Sequence, residues 1–136
     1  MLTTRRPLLP PLATRLLAAS RPLSWVNTAY PFGAAYLLAG GHVDAAWVIG
    51  TLFFLVPYNL AMYGINDVFD YASDAANPRK GGVEGALLEP RVHRATLVAA
   101  VVTCVPFVVA LVVLGRPASW AVLGVTLFAV AAYSVP

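Results

Sequence analysis

The stretch NDVFDYASD, residues 66–74, places three of the chain's six acidic residues within nine positions, directly after one of its most apolar runs. A solvated acidic loop and a set of carboxylates that holds a ligand would both look like this locally. The rest of the chain decides between them.

Composition sets the class. Hydrophobic residues make up 60% of the 136 positions and charged residues 11%, with a mean hydropathy of +0.75. Soluble chains carry about 25% charged residues. The apolar residues are gathered into uncharged runs at 45–63, 95–114 and 118–136, with a shorter one at 23–38 that ends at Gly40 and Gly41. A helix needs about 20 apolar residues to cross a hydrocarbon core of about 30 Å. The runs therefore predict an all-α fold, a polytopic membrane helical bundle with about four transmembrane helices. Residues 1–22 read as a cytoplasmic N-terminal arm, residues 23–136 as the membrane helical domain, and 66–94 as a cytoplasmic motif loop within it.

Basic residues orient the bundle. Eight of the nine Lys and Arg residues precede the first run or lie between the second and third, and Arg116 alone falls on the other side. The positive-inside rule then puts the N-terminus and the 66–94 loop in the cytoplasm. The expected location is the cell (inner) membrane, and the net charge of +3 fits an anionic lipid bilayer. An aromatic-rich basic patch of the nucleic-acid kind is lacking, so nucleic acid is excluded as a partner. The arm begins with a twin-arginine pair, but Arg15 interrupts the apolar stretch that would follow in an export signal. The single cysteine, Cys104, lies inside the third run and reads as a small apolar-facing residue.

With the helix continued past Tyr63, Asp67, Asp70 and Asp74 fall within an arc of about 60°, at about 100° per residue. Asn66, Asn59 and Tyr63 widen that arc to about 100°. A polar stripe thus starts inside the bilayer and ends in three carboxylates at its surface. Like charges at i,i+3 and i,i+4 destabilise a helix by a few tenths of a kcal/mol. A hard cation such as Mg²⁺, which takes carboxylate oxygens and shares its other positions with phosphate and water, removes that repulsion. The segment 77–85, NPRKGGVEG, follows with Arg79 and Lys80 in a glycine-rich turn suited to a phosphate group. Carboxylates, a basic turn and a membrane slot together point to a diphosphate whose tail lies in lipid.

These residues carry a resemblance. NDVFDYASD matches the NDxxDxxxD signature of the UbiA-type intramembrane prenyltransferases at every fixed position. YGINDVFDYASDAANPRKGGVEGALL and SRPLSWVNTAYPFGAAYLLAGG are similar to the branch that includes lycopene elongases. The resemblance covers residues 20–136. Many members carry RPL.SG after the motif where this chain has RKGGVEG, a departure that fits the elongase-like branch.

The resemblance implies a nine-helix fold and a Mg²⁺-dependent transfer of a prenyl group from a prenyl diphosphate to a lipophilic acceptor. Lycopene or another carotenoid is the first acceptor implied, and a quinone-ring precursor or haem the alternative. It gives Asn66, Asp70 and Asp74 as metal contacts, and Asp67, Asp70 and Asp74 as the catalytic carboxylates. Asn59, Tyr63, Asn66, Arg79, Lys80 and Arg21 are its substrate-binding candidates. Family members carry a second aspartate-rich motif, and this chain has no acidic residue after Glu89. It therefore reads as an N-terminal piece of such an enzyme, without turnover by itself. A small ion-handling or structural membrane protein is the reading from another class. It predicts polar residues in several spans, and the later runs hold only Thr103, Ser119, Thr126 and Ser134.

Overall fold

The computed structural model describes residues 10–81 and 85–135. Helix α1 (Leu12–Ala19) leads through a 3₁₀ turn, Pro22–Ser24, into α2 (Trp25–Leu38). Next come α3 (Ala45–Phe69), the short α4 (Tyr71–Ala75), α5 (Pro90–Leu114) and α6 (Pro117–Ser134). No strand occurs among the described residues. The chain is an all-α, multi-pass membrane protein. Of the expected cytoplasmic arm, residues 1–9 lie outside the described residues, whereas Leu12–Ala19 is helical and buries Ala19.

Among the described residues, three helices are long and apolar enough to cross a membrane: α3, α5 and α6. The most apolar window of α5 has a mean hydropathy of 3.0, yet only 6% of it is buried inside the chain. Its exposed valines, Val98, Val101, Val102, Val105 and Val109, need a lipid surrounding rather than water. The run at 23–38 gives a helix of 14 residues. At 1.5 Å per residue this is about 21 Å, short of a full crossing of about 30 Å.

Small residues bring α2 against α3. A Cβ at Gly50 would run into the Phe32 ring, and one at Gly33 would touch Trp47 and Thr51. Such close approach is how helices associate where no water drives them together. The Trp47 indole N–H donates to the Gly33 carbonyl at 3.0 Å. At the start of α3, Asp44 accepts the Trp47 backbone N–H at 2.9 Å and the Tyr36 hydroxyl at 3.0 Å. The backbone bond from Trp47 is the main reason its carboxyl lies below the usual range.

Helix α3 is interrupted twice before it ends. Val56 leaves helical geometry (φ −114°, ψ −58°) just before Pro57, which has no N–H to return to the preceding turn. Carbonyls around the break accept from side chains. Asn59 Nδ2 donates to Phe54 O at 3.0 Å and to Leu55 O at 2.9 Å. Thr28 of α2 donates to Phe54 O at 2.6 Å, and the Cys104 thiol of α5 lies 3.2 Å from Pro57 O. A π turn, Leu60–Gly64, follows, and Ser134 of α6 donates to Met62 O at 2.9 Å. Broken helices persist at membrane depth when neighbours re-satisfy the backbone in this way. The buried apolar core surrounds the π turn, where Ala19, Leu60, Ala61, Leu88, Val92, Ala100 and Val130 meet. It anchors the end of α3 that carries the acidic motif.

Candidate functional site: an ion-paired aspartate motif at the end of α3

Asp67 closes the last turn of α3, Asp70 forms the joint and Asp74 lies in α4. The joint does not break the spacing. Asp70 N–H donates to Asn66 O at 2.8 Å, and Asp74 N–H donates to Asp70 O at 2.9 Å, so each residue sits one helical turn beyond the last. The chain then reverses. Asn77 Oδ1 accepts the Arg79 N–H at 3.0 Å, Lys80 N–H bonds Asn77 O at 3.1 Å, and Gly81 adopts φ +91°. This reversal carries Lys80 back over the two helices.

Two cations converge on Asp67. Lys80 Nζ and Arg21 Nη2 each lie 3.1 Å from its Oδ1. Lys80 Nζ is also 2.8 Å from Asp74 Oδ2, so one ammonium bridges two carboxylates. Asp67 is 1% exposed and Asp74 9%. Burial alone would lower the Lys80 pKa; its bonds to Asp74 and Asp67 outweigh that and hold it above the ordinary lysine value. Among the described residues, the buried Asp67 Oδ2 has no hydrogen-bond partner.

Arg21 is fixed on several sides. Its guanidinium carbon stands 4.2 Å from the centroid of the Tyr63 ring, a cation–π geometry. A Cβ at Gly85 would come within 2.9 Å of Arg21 Nη2. Gly85 itself has φ +111°, a conformation open to glycine. Arg21 has φ +51°, and it is the one non-glycine with positive φ among the described residues. That backbone costs about 1–2 kcal/mol, so its side-chain contacts must hold it there.

The sequence candidates therefore separate. Asp67, Asp74, Lys80, Arg21 and Tyr63 form one contact network. Asn66 and Asp70 are half-buried beside it, with no side-chain partner among the described residues. Arg79 is exposed on the turn. Asn59 is fully buried deeper in the membrane, its amide committed to the α3 break and to Thr28 Oγ1 at 2.8 Å. The uniform 100° step behind the stripe is interrupted by the π turn. Two cavities, of about 630 and 270 Å³, are lined by other residues. No group of three His, Cys, Asp or Glu among the described residues is placed to hold a metal ion. Sequence reasoning did not single out Gly85 as Arg21's neighbour, or Thr28, Cys104 and Ser134 as carbonyl partners. The positive φ required at Gly85 has no signal in the sequence beyond the glycine itself.

Residues 28–136 match the UbiA prenyltransferase family. The chain belongs to that family. It is 63% identical over 132 residues to the C(50) beta-cyclic carotenoids biosynthesis protein LbtBC of Dietzia sp. (strain CQ4), an alignment covering 97% of this chain and 31% of that protein. It is 55% identical over 121 residues to the lycopene elongase/hydratase of Corynebacterium glutamicum, covering 89% of this chain and 42% of that one. A more distant lycopene elongase/hydratase, from Halobacterium salinarum, is 41% identical over 73 residues, covering 51% of this chain and 26% of that protein. This UbiA-family chain thus spans less than half the length of these curated relatives. No solved structure matches it.

Proposed function

We propose that this chain supplies the first aspartate motif of a membrane prenyltransferase, which transfers a prenyl group from a prenyl diphosphate to a lipophilic carotenoid acceptor such as lycopene. The observation that carries this reading is the convergence of Arg21 and Lys80 on Asp67, beside the open oxygen donors of Asn66 and Asp70. A diphosphate needs both kinds of partner, cations for its oxygens and carboxylates for its counter-ion. The names of the relatives support the carotenoid acceptor. The orientation that fits is a cytoplasmic N-terminus in the cell membrane, with the motif facing the cytoplasm.

The donor set suits Mg²⁺. It consists of oxygen donors, and a buried carboxylate oxygen of Asp67 has no hydrogen-bond partner among the described residues. Fewer than three gathered carboxylates suit a cation that completes its shell with phosphate oxygens and water. Asn66, Asp70 and Asp74 would hold it, with Asp67 behind them. Bound there, Mg²⁺ would stabilise the charge on the departing diphosphate. Arg21 and Lys80 would donate to diphosphate oxygens as paired cations, with Arg79 at the rim of the turn. The Tyr63 ring, already a face for one cation, would stabilise positive charge on the allylic carbon. Asn59 would shape the deeper wall against which the prenyl tail lies.

Asp70 tests the reading because it is half-buried and bears no ion pair among the described residues. In the full-length protein, Asp70→Asn is expected to abolish Mg²⁺-dependent transfer from a radiolabelled prenyl diphosphate in membranes, with normal membrane insertion. Full activity in Asp70→Asn would sink the assignment.

A further inference from the structure

The ammonium of Lys80 stands between two carboxylates that the proposed reaction needs. It is 3.1 Å from Asp67 Oδ1 and 2.8 Å from Asp74 Oδ2, and its side chain is 10% exposed. Two buried like charges, two helical turns apart on one face, require a counter-charge, and the chain supplies its own. Arg21 adds a second cation to the same Asp67 oxygen. The described residues accordingly hold no ready-made three-carboxylate metal site.

We propose that Lys80 is an internal placeholder for the divalent cation: it neutralises Asp67 and Asp74 in the free protein and keeps metal off them until a diphosphate arrives. The inference rests on the proposed function and adds a binding order to it. A diphosphate offers Lys80 and Arg21 a more highly charged anion than either carboxylate. When they turn to it, the carboxylates lose their counter-charge at the moment the metal accompanying the diphosphate can replace it. The exchange conserves charge pairing and needs no covalent step. Its mechanical basis is the reversal after α4, which places Lys80 on a turn closed by Asn77 and Gly81 rather than on a rigid helix. Metal alone should therefore bind poorly, and metal and diphosphate should enter as a pair.

The test is the affinity for Mn²⁺ alone, a paramagnetic stand-in for Mg²⁺, read by electron paramagnetic resonance on the full-length protein in nanodiscs. Lys80→Met should bind Mn²⁺ about tenfold or more tighter than wild type, the scale of losing one charge-assisted bond. Lys80→Arg, which keeps the cation, should stay as weak as wild type. Inorganic pyrophosphate should raise Mn²⁺ affinity strongly in wild type and by a smaller factor in Lys80→Met. Should Lys80→Met fail to reach the membrane, Lys80→Gln retains hydrogen-bond donors for the buried carboxylates and carries the same expectation. Mn²⁺ affinity within twofold of wild type in the neutral variant overturns the placeholder while leaving Mg²⁺-dependent prenyl transfer intact. If no variant binds Mn²⁺ even with pyrophosphate and the full chain transfers no prenyl group, the functional reading falls and this inference with it.

Discussion

The run from α3 into α4 is repaired at two levels, once at the Val56–Pro57 break and once around the Asp70 joint, and the two repairs use different chemistry. At Val56–Pro57, within the membrane span, the carbonyls around the break accept from neutral donors: Asn59, Thr28 and Cys104. On either side of the Asp70 joint the problem is the negative charge of Asp67 and Asp74, and it is met by Lys80 and Arg21 from outside the helix. A neutral donor at membrane depth has no competitor, because no water is present to take its place. An ion pair at the mouth meets water, metal and phosphate, all of which can displace it. The first repair is thus permanent and the second exchangeable, which is the division of labour a binding site needs.

The comparison can be broken from either side. The largest effect is expected at the deep repair. Asn59→Leu removes three hydrogen bonds from a fully buried side chain and leaves the Leu55 carbonyl with its helix-break partner gone. A loss of about 2 kcal/mol is expected, at the level of one stranded buried polar group. Thermal unfolding of the full-length protein in detergent measures it, and a double cycle with Thr28→Val should be clearly less than additive. Strict additivity would mean the two side chains do not share the repair.

A smaller effect is expected at the mouth. Gly85→Ala should cost about 1–2 kcal/mol for its left-handed backbone and should also displace the Arg21 guanidinium. Gly81→Ala is the matched control: it has φ +91° and nothing within 4 Å of a new Cβ. Both variants lose backbone stability, but only Gly85→Ala should weaken binding of a prenyl diphosphate analogue. Equal binding in the two would remove Arg21 from the ligand's surroundings.

The smallest effect is with pH. Lys80 has its folded pKa raised, so its contribution to stability is complete below the ordinary lysine value and is lost as pH rises through the higher folded value. Stability should be flat with respect to this group from neutral pH up to about 10 and fall only beyond it. Lys80→Met should abolish that alkaline limb. A Lys80-dependent change between pH 6 and 8 would contradict the ion-pair description.

Much of the fold was legible in the chain. Uncharged runs marked the three spanning helices, since length and apolarity are what a bilayer demands, and the helix did continue past Tyr63 toward the motif. The run at 23–38 had the composition of a span but not its helical length. The site was legible in its residue types and less so in its partners. Helical phase puts Asp67 and Asp74 nearly at one angle, yet their inward orientation depends on Lys80 and on Arg21, which lies 46 positions away from Asp67. Such pairings are set by tertiary folding, and a local pattern carries no trace of them. The same holds for Asn59, whose amide is spent on a break caused two residues earlier by Pro57.

The π turn at Leu60–Gly64 has a consequence for how the gene can vary in length. A π turn is a helix with one residue too many for its turn. Deleting any one of these five positions would let α3 close into ordinary α geometry with little local disturbance. The extra residue is absorbed within the widened turn, so everything beyond would keep nearly its present phase, and Asp67 would still face Lys80 and Arg21. This short segment is therefore slack in the geometric sense: it can lose one letter, where a loss from the ordinary α turns on either side would rotate the motif by about 100°.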